Sequence, residues 1–467
     1  MGRKLPVTDA EIRHSIKGWY DYLEEDSRPI PAYLQERGAI DPDELKFRID
    51  AREFISADVH KRETERLWER VWQTACRENE IPDVGDYFEY EICGNSIIVV
   101  RENTSSIRAF RNACRHRGTA LIAGSGNARA FACPFHGWLY GLDGALRKIP
   151  AAWNFDHVDP ACHGLLPVRA EAFDGWIFVN LDPAAPPLRE HLGETVMRHL
   201  SMNPQKRMQK AMHFGVVVPC NWKLLVGNFI ESYHLTATHP GLASFTGDIQ
   251  GVYEFFGQHH RFAGPMGASA LIGGAEYSPD EILSDLLSFS GGGYGSASGS
   301  DERDATDIAD DDPASVRRIA ASRVRKALGA RGIDLDTATD AELIDLLAYF
   351  IFPNLDWFIC PAGRINFRVR PHGDDPGQCL FEIMAFTPIP ESSEMPRDVP
   401  MTMIRRDETF ADHAAHLGPA AAVIDEDIMV VTAAQKGLRS GLPDIVLGSV
   451  VEAAIANFHR HVKGWTA

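Results

Sequence analysis

Residues 114–118 read CRHRG and residues 133–138 read CPFHGW, so Cys114 and His116 form C-x-H and, 16 residues later, Cys133 and His136 form C-x-x-H. Turn signals at Gly94-Asn95, Gly124-Ser125-Gly126 and Asp143-Gly144 divide the surrounding 87–147 stretch into short β-type runs. Both pairs therefore fall on loops of a small antiparallel β domain. Two thiolates and two imidazoles on paired loops suit a structural zinc ion or a small iron–sulfur cluster. The matching flanks, Arg117-Gly118 and Gly137-Trp138, argue against coincidence.

Outward from these loops, the β pattern continues through 165–170, a turn at Asp174-Gly175 and the run 176–180, and DPAAPP at 182–187 reads as a linker. Three segments follow: an N-terminal arm (1–50), a cluster-bearing domain (51–181) opened by a helix over Asp58–Cys76, and a second domain (188–467). In the latter, 212–219 reads as a strand and 221–235 as a helix. The Gly-rich, acidic stretch 288–313 reads as a mobile loop. Helices are expected over 314–328 and, behind the Thr339-x-x-Glu342 capping box, over 340–350. The arginines of the first read as a solvated face compensating the acidic loop. Runs at 357–360, 364–370 and 378–387 read as sheet, and 424–438 and 452–462 as helices.

The 467 residues carry 47 basic and 65 acidic side chains, a net charge of −18, which argues against a nucleic-acid partner. No run of 18 apolar residues and no secretory leader is visible, so the expectation is a cytoplasmic protein without membrane association. Eight cysteines are too few for a disulfide framework. G-x-G-x-x-G, the phosphate-binding loop and G-x-S-x-G are all missing, so the chain itself is not expected to bind NADH.

A second constellation lies at Asn228, Glu231, Tyr233, His234 and His239. On an ideal helix, five residues rotate by about 500°, which sets the two imidazoles about 140° apart. The helix must be distorted or end between them, and Thr236, Thr238 and Pro240-Gly241 offer a break there. Locally, two packed histidines and two metal ligands both fit.

Together, CRHRG, CPFHGW and the run NWKLLVGNFIESYHLTATHP over 221–240 resemble the α subunits of Rieske non-haem iron oxygenases, the aromatic-ring-hydroxylating dioxygenase family. The resemblance covers roughly 50–245 and 345–465 and leaves 246–344 as an insertion, read as a lid or channel element. It implies an α+β fold: an antiparallel β Rieske [2Fe-2S] domain plus a helix-grip catalytic domain with a large antiparallel sheet. It assigns Cys114 and Cys133 to one cluster iron and His116 and His136 to the other. The oxygenase type is implied, because neither loop carries the additional cysteine of respiratory Rieske proteins. His234, His239 and an Asp near the C-terminus would hold a mononuclear Fe(II). Asp427 is the expected third ligand, with Asp425 the alternative.

By the same resemblance, Glu231 is an inter-subunit electron bridge, and Asn228 and Tyr233 line the iron region or serve structure alone. The implied function is a terminal oxygenase that uses O2 to hydroxylate an aromatic or other apolar ring substrate, cis-dihydroxylation first. A Rieske monooxygenase or oxidative demethylase is the alternative; an electron carrier without oxygenase activity is the rival of another class. Electrons would come from a reductase bearing flavin and NADH, directly or through a ferredoxin. The implied assembly is a homotrimer or α3β3 with a small subunit.

Overall fold

A computed structural model describes residues 16–272, 274–293 and 313–467. Most of the loop expected at 288–313 and the first part of the 1–50 arm lie outside the described residues. The Gly-rich start of that loop does not: the helix Pro279–Gly293 runs through it. No described helix is long and apolar enough to cross a membrane.

A seven-stranded sheet runs in the order Gln73–Arg77, Trp176–Asn180, Pro167–Phe173, Ser106–Arg111, Asn95–Asn103, Asp86–Ile92, Ser125–Asn127. The strand Asn95–Asn103, fifth in that order, buries the β-branched run Ile97-Ile98-Val99-Val100 completely, as a strand covered on both faces must. Positive φ at Cys93-Gly94 and Asp174-Gly175 gives the tight hairpin turns that join its neighbours. A three-stranded sheet, Phe131–Ala132, Leu139–Tyr140 and Leu146–Lys148, presents the second cluster loop. The helix expected over Asp58–Cys76 stops early. Ala57–Glu63 is α-helical, Thr64–Trp68 widens into a π turn, and Gln73–Arg77 pairs with Trp176–Asn180 as a fully buried strand. The helical spacing of Leu67, Val71 and Trp72 is overridden by this long-range pairing.

The larger sheet has eight strands, Val252–Phe256, His259–Gly264, Leu346–Ile351, Leu355–Phe358, Arg364–Pro371, Cys379–Pro388, Met208–Val218 and Thr402–Ile404, antiparallel except for the last pair. One face shares a core with the helices Trp222–Phe229, Pro419–Leu438 and Ala453–Thr466. The other face packs on Trp19, Tyr33 and Leu34 of the N-terminal arm and on Trp176 and Phe178 of the smaller sheet. The chain is thus α+β, with a Rieske-type β unit and a helix-bearing antiparallel sheet.

The capping box forms as expected, Thr339 and Glu342 bonding each other's backbone, but the helix spans only Asp340–Ile344. The apolar run LLAYFI that follows is a strand between two others, not a continuation of the helix. The helix Pro313–Gly329 is not simply solvated either. Arg317 is buried and forks onto both carboxylate oxygens of Asp345, at 2.6 and 2.9 Å, and Arg325 meets buried Asp340 at 2.8 Å.

Candidate metal centres

The two cysteine loops are the same turn built twice. Cys114 N–H donates to Thr119 O at 2.9 Å and Cys133 N–H to Trp138 O at 2.7 Å. Gly118 and Gly137 donate back to the cysteine carbonyls at 2.8 and 2.9 Å, with φ of +78° and +72° that an L side chain rarely adopts. Both thiols are buried. Burial raises the pKa of Cys133, but the Phe135 and His136 backbone N–H groups, and Cys114 and Thr119, draw it below the ordinary thiol range. The Cys114 Sγ lies 3.3 Å from the Tyr140 hydroxyl, which also accepts the Arg115 N–H at 2.9 Å. His116 stacks on Trp138 at 5.0 Å and sits 4.6 Å from the His136 ring.

These residues fit a [2Fe-2S] cluster. Thiolate-favouring N–H donors face sulfur, and buried Nδ1 of His116 has no hydrogen-bond partner, as a nitrogen reserved for a ligand bond would. A single zinc ion fits poorly. Four ligands at about 2.0–2.3 Å from one ion would converge, whereas no three of these ligand atoms lie within 4.8 Å of one another.

The second centre stands on a broken helix. Trp222–Phe229 is capped by Asn221, whose side chain accepts the Lys223 N–H, and it ends at Ile230. A one-turn helix, Leu235–Thr238, follows, with His234 as its N-cap and His239 as its C-cap. The break expected after His234 therefore lies before it, and a second one falls at His239. The two rings come within 5.3 Å of each other. Glu231 builds the turn: one carboxylate oxygen accepts the N–H groups of Tyr233 and His234, and the other meets His234 Nδ1 at 2.5 Å.

Asp427 points inward from the helix Pro419–Leu438, on the face that buries Ile424, Val431 and Leu438. Its Oδ1 lies 2.9 Å from His239 Nε2 and 3.5 Å from His234 Nε2, and it accepts Asn228 Nδ2–H at 2.8 Å. His239 Nδ1 meets Glu426 at 2.7 Å. Burial by itself would lower both imidazoles, yet Asp427 and its neighbouring carboxylates raise them, His234 to about 10. The Asp427 carboxyl, pushed up by burial, is pulled below its usual range by the same two rings. Three carboxylates around two histidines call for a cation. Among the described residues, His234, His239 and Asp427 are the only such group with ligand atoms within 4.8 Å. With each Nδ1 held by a carboxylate, both Nε2 atoms face the same point as Asp427 Oδ1, a fit to a divalent metal.

Other candidates fall elsewhere. Asp425 accepts the backbone N–H groups of Phe410 and Ala411, so it caps a neighbouring turn. Tyr233, expected to line the iron region, is 52% exposed and contributes its backbone N–H to Glu231 instead. Asn228 does reach the centre. Glu426, which no motif singles out, joins the centre through His239 Nδ1. A cavity of about 320 Å³ opens beside His239 and Glu426, lined by Leu242, Phe245, Asp285 and Phe289.

Residues 71–159 match the Rieske [2Fe-2S] domain model, and residues 201–467 match the ring hydroxylating alpha subunit (catalytic domain) model. The carnitine monooxygenase oxygenase subunit of Escherichia coli K12 is 33% identical over 212 residues, 45% of this chain and 56% of that one. The benzene 1,2-dioxygenase subunit alpha of Pseudomonas putida is 35% identical over 218 residues, 45% and 48% of the two chains. The chain thus spans about half the length of the curated relatives it matches. A quaternary ammonium Rieske monooxygenase bound to L-carnitine superposes over 92% of this chain and 99% of its own, with TM-score 0.63 and 18% identity. A naphthalene 1,2-dioxygenase does so over 90% and 93%, with TM-score 0.60 and 19% identity. Those two likenesses speak for the fold. With more than half its length matched to the catalytic-domain model and a Rieske domain ahead of it, the chain belongs to the ring-hydroxylating alpha subunit family of Rieske oxygenases, whose cofactors are a Rieske [2Fe-2S] cluster and a mononuclear iron.

Proposed function

We propose that the chain is a terminal oxygenase that uses O2 and reductase-supplied electrons to hydroxylate an apolar ring substrate, most directly by cis-dihydroxylation. The observation that carries this reading is the convergence of His234 Nε2, His239 Nε2 and Asp427 Oδ1, with a cavity edged by Leu242, Phe245 and Phe289 reaching the group at His239. These three residues would hold the iron, and Cys114, His116, Cys133 and His136 the cluster. When bound, the iron supplies the activation of O2.

The chain's own residues do the rest. Glu231 and Glu426 keep the histidine protons at Nδ1, which leaves Nε2 for the metal. Asn228 fixes the Asp427 carboxylate. Glu231 is also the proposed electron bridge between the cluster of one subunit and the iron of the next, in a homotrimer or α3β3. The reductase carries NADH and flavin, with a ferredoxin where a second carrier is used.

The match to a carnitine monooxygenase favours the incorporation of one oxygen atom, and the match to a benzene dioxygenase favours two. Turnover under 18O2 with a reductase, across aromatic acids, polycyclic hydrocarbons and steroids, separates them by label count. Absence of substrate-stimulated O2 uptake from protein loaded with cluster and iron would overturn the oxygenase reading.

A further inference from the structure

The eight-stranded sheet turns two cross-strand rows of side chains toward the helices that carry the iron ligands. One row runs Tyr253, Phe262, Ala348, Phe358, and Tyr253 lies beside Glu231 and Ser232. Phe262 and Ala348 point inward yet keep 8% and 6% of their surface accessible, and Phe358 and Phe229 keep more.

The second row, about 7 Å further along each strand, runs Phe255, His260, Phe350, Asp356, Phe367, Ile383. It is aromatic and aliphatic apart from two members. Asp356 is 3% exposed, and among the described residues no donor or cation meets its carboxyl; burial alone pushes it well above the usual carboxylate range. His260 is 1% exposed, is stacked on Phe350 at 5.2 Å and has no partner for Nδ1; burial holds it neutral, with a pKa of about 3. Phe367, directly opposite Asp356, packs on Phe229 at 4.5 Å, and the preceding residue, Asn228, holds Asp427. Buried polar groups in folded proteins are ordinarily paired, so two unpaired ones in a row this apolar call for a partner outside the chain.

We infer that Asp356 is a specificity-determining residue that anchors a neutral oxygen substituent, a hydroxyl or a carbonyl, on an otherwise apolar ring substrate. The inference rests on the oxygenase reading above and extends the substrate site inward from the cavity beside His239, between the sheet and the helices. An uncharged carboxyl can both donate and accept a hydrogen bond, which matches a neutral oxygen group and not an ion. Phe358 and Phe367, which keep some accessible surface, offer aromatic contact to the rest of such a molecule.

Naphthalene and 2-naphthol differ by one hydroxyl, and phenyltrimethylammonium supplies a cation. All three are titrated by calorimetry into wild-type protein carrying cluster and iron and into Asp356→Leu. The wild type should bind 2-naphthol at least about tenfold tighter than naphthalene, because a site built to pair a hydroxyl rejects the analogue lacking it. Asp356→Leu should cut that ratio to about 1 and raise the melting temperature, since it removes an unpaired buried carboxyl. An equal ratio in both proteins, tighter binding of the ammonium by the wild type, or a lowered melting temperature overturns the proposal while leaving the oxygenase reading intact. If neither naphthalene nor 2-naphthol binds the wild type, the placement of the substrate site falls and the proposal with it.

Discussion

Glu426 lies 2.7 Å from Nδ1 of His239, while Asp427, the next residue on the same helix, meets Nε2 of that ring at 2.9 Å. Adjacent carboxylates thus hold both nitrogens of one imidazole. Removing such an orienting carboxylate typically costs 10- to 100-fold in metal affinity. Glu426→Ala should therefore weaken ferrous binding by about that factor, and Glu426→Gln, which keeps an acceptor oxygen, should recover most of it. Competition with a chelator measures this, and the visible spectrum of the cluster should not change.

The cluster loops predict the converse separation. Cys133→Ala removes a thiolate held by two backbone N–H groups. Acid-labile sulfide and visible absorption should disappear while the mononuclear iron stays bound. Retained sulfide would place the cluster on other residues.

Acid should destabilise the fold well above the carboxylate range. Burial holds His191 and His260 to about 3 and His213 and His259 to about 4, against 6.5 for a free imidazole. Between pH 6.5 and about 4 the unfolded chain binds protons that the native chain does not. Stability is complete above 6.5 and falls with pH through that window, by up to about 1.4 kcal/mol per pH unit for each histidine. Calorimetric melting between pH 7 and 5 should show the drop, and His191→Gln should flatten it. A melting temperature constant over that range would contradict the assignment.

The Arg317–Asp345 pair locks three parts of the chain, because Asp345 also accepts the indole N–H of Trp19 at 2.8 Å and the Met266 N–H at 2.9 Å. Removing one partner of a buried ion pair strands the other. Asp345→Ala should cost about 3–5 kcal/mol in urea unfolding, whereas exposed Arg405→Ala should cost under about 1 kcal/mol.

Ligand sets are legible in a chain because chemistry demands residue types at fixed spacing. Cys114, His116, Cys133 and His136, and His234, His239 and Asp427, are the residues the fold gathers into two groups. Pairings between distant segments leave no such trace. Leu346–Ile351 is a short apolar run that suits helix or strand equally, Gln73–Arg77 is a mixed run with no strand period, and both become strands because His259–Gly264 and Trp176–Asn180 lie beside them. The helix break before His234 depends on Glu231 accepting two backbone N–H groups, a contact that spacing does not announce. Arg317 reads as a surface arginine until Asp345 is placed against it. Asp356 is one acid among many until its neighbours Phe350 and Phe367 are known.

Metal analysis of Asp427→Ala tests the central claim most directly. Among the described residues, Asp427 Oδ1 is the single oxygen that meets both histidines. The account predicts loss of the mononuclear iron and of substrate-stimulated O2 uptake, with cluster iron, sulfide and the visible spectrum unchanged. Retention of that third iron, with turnover intact, would contradict it.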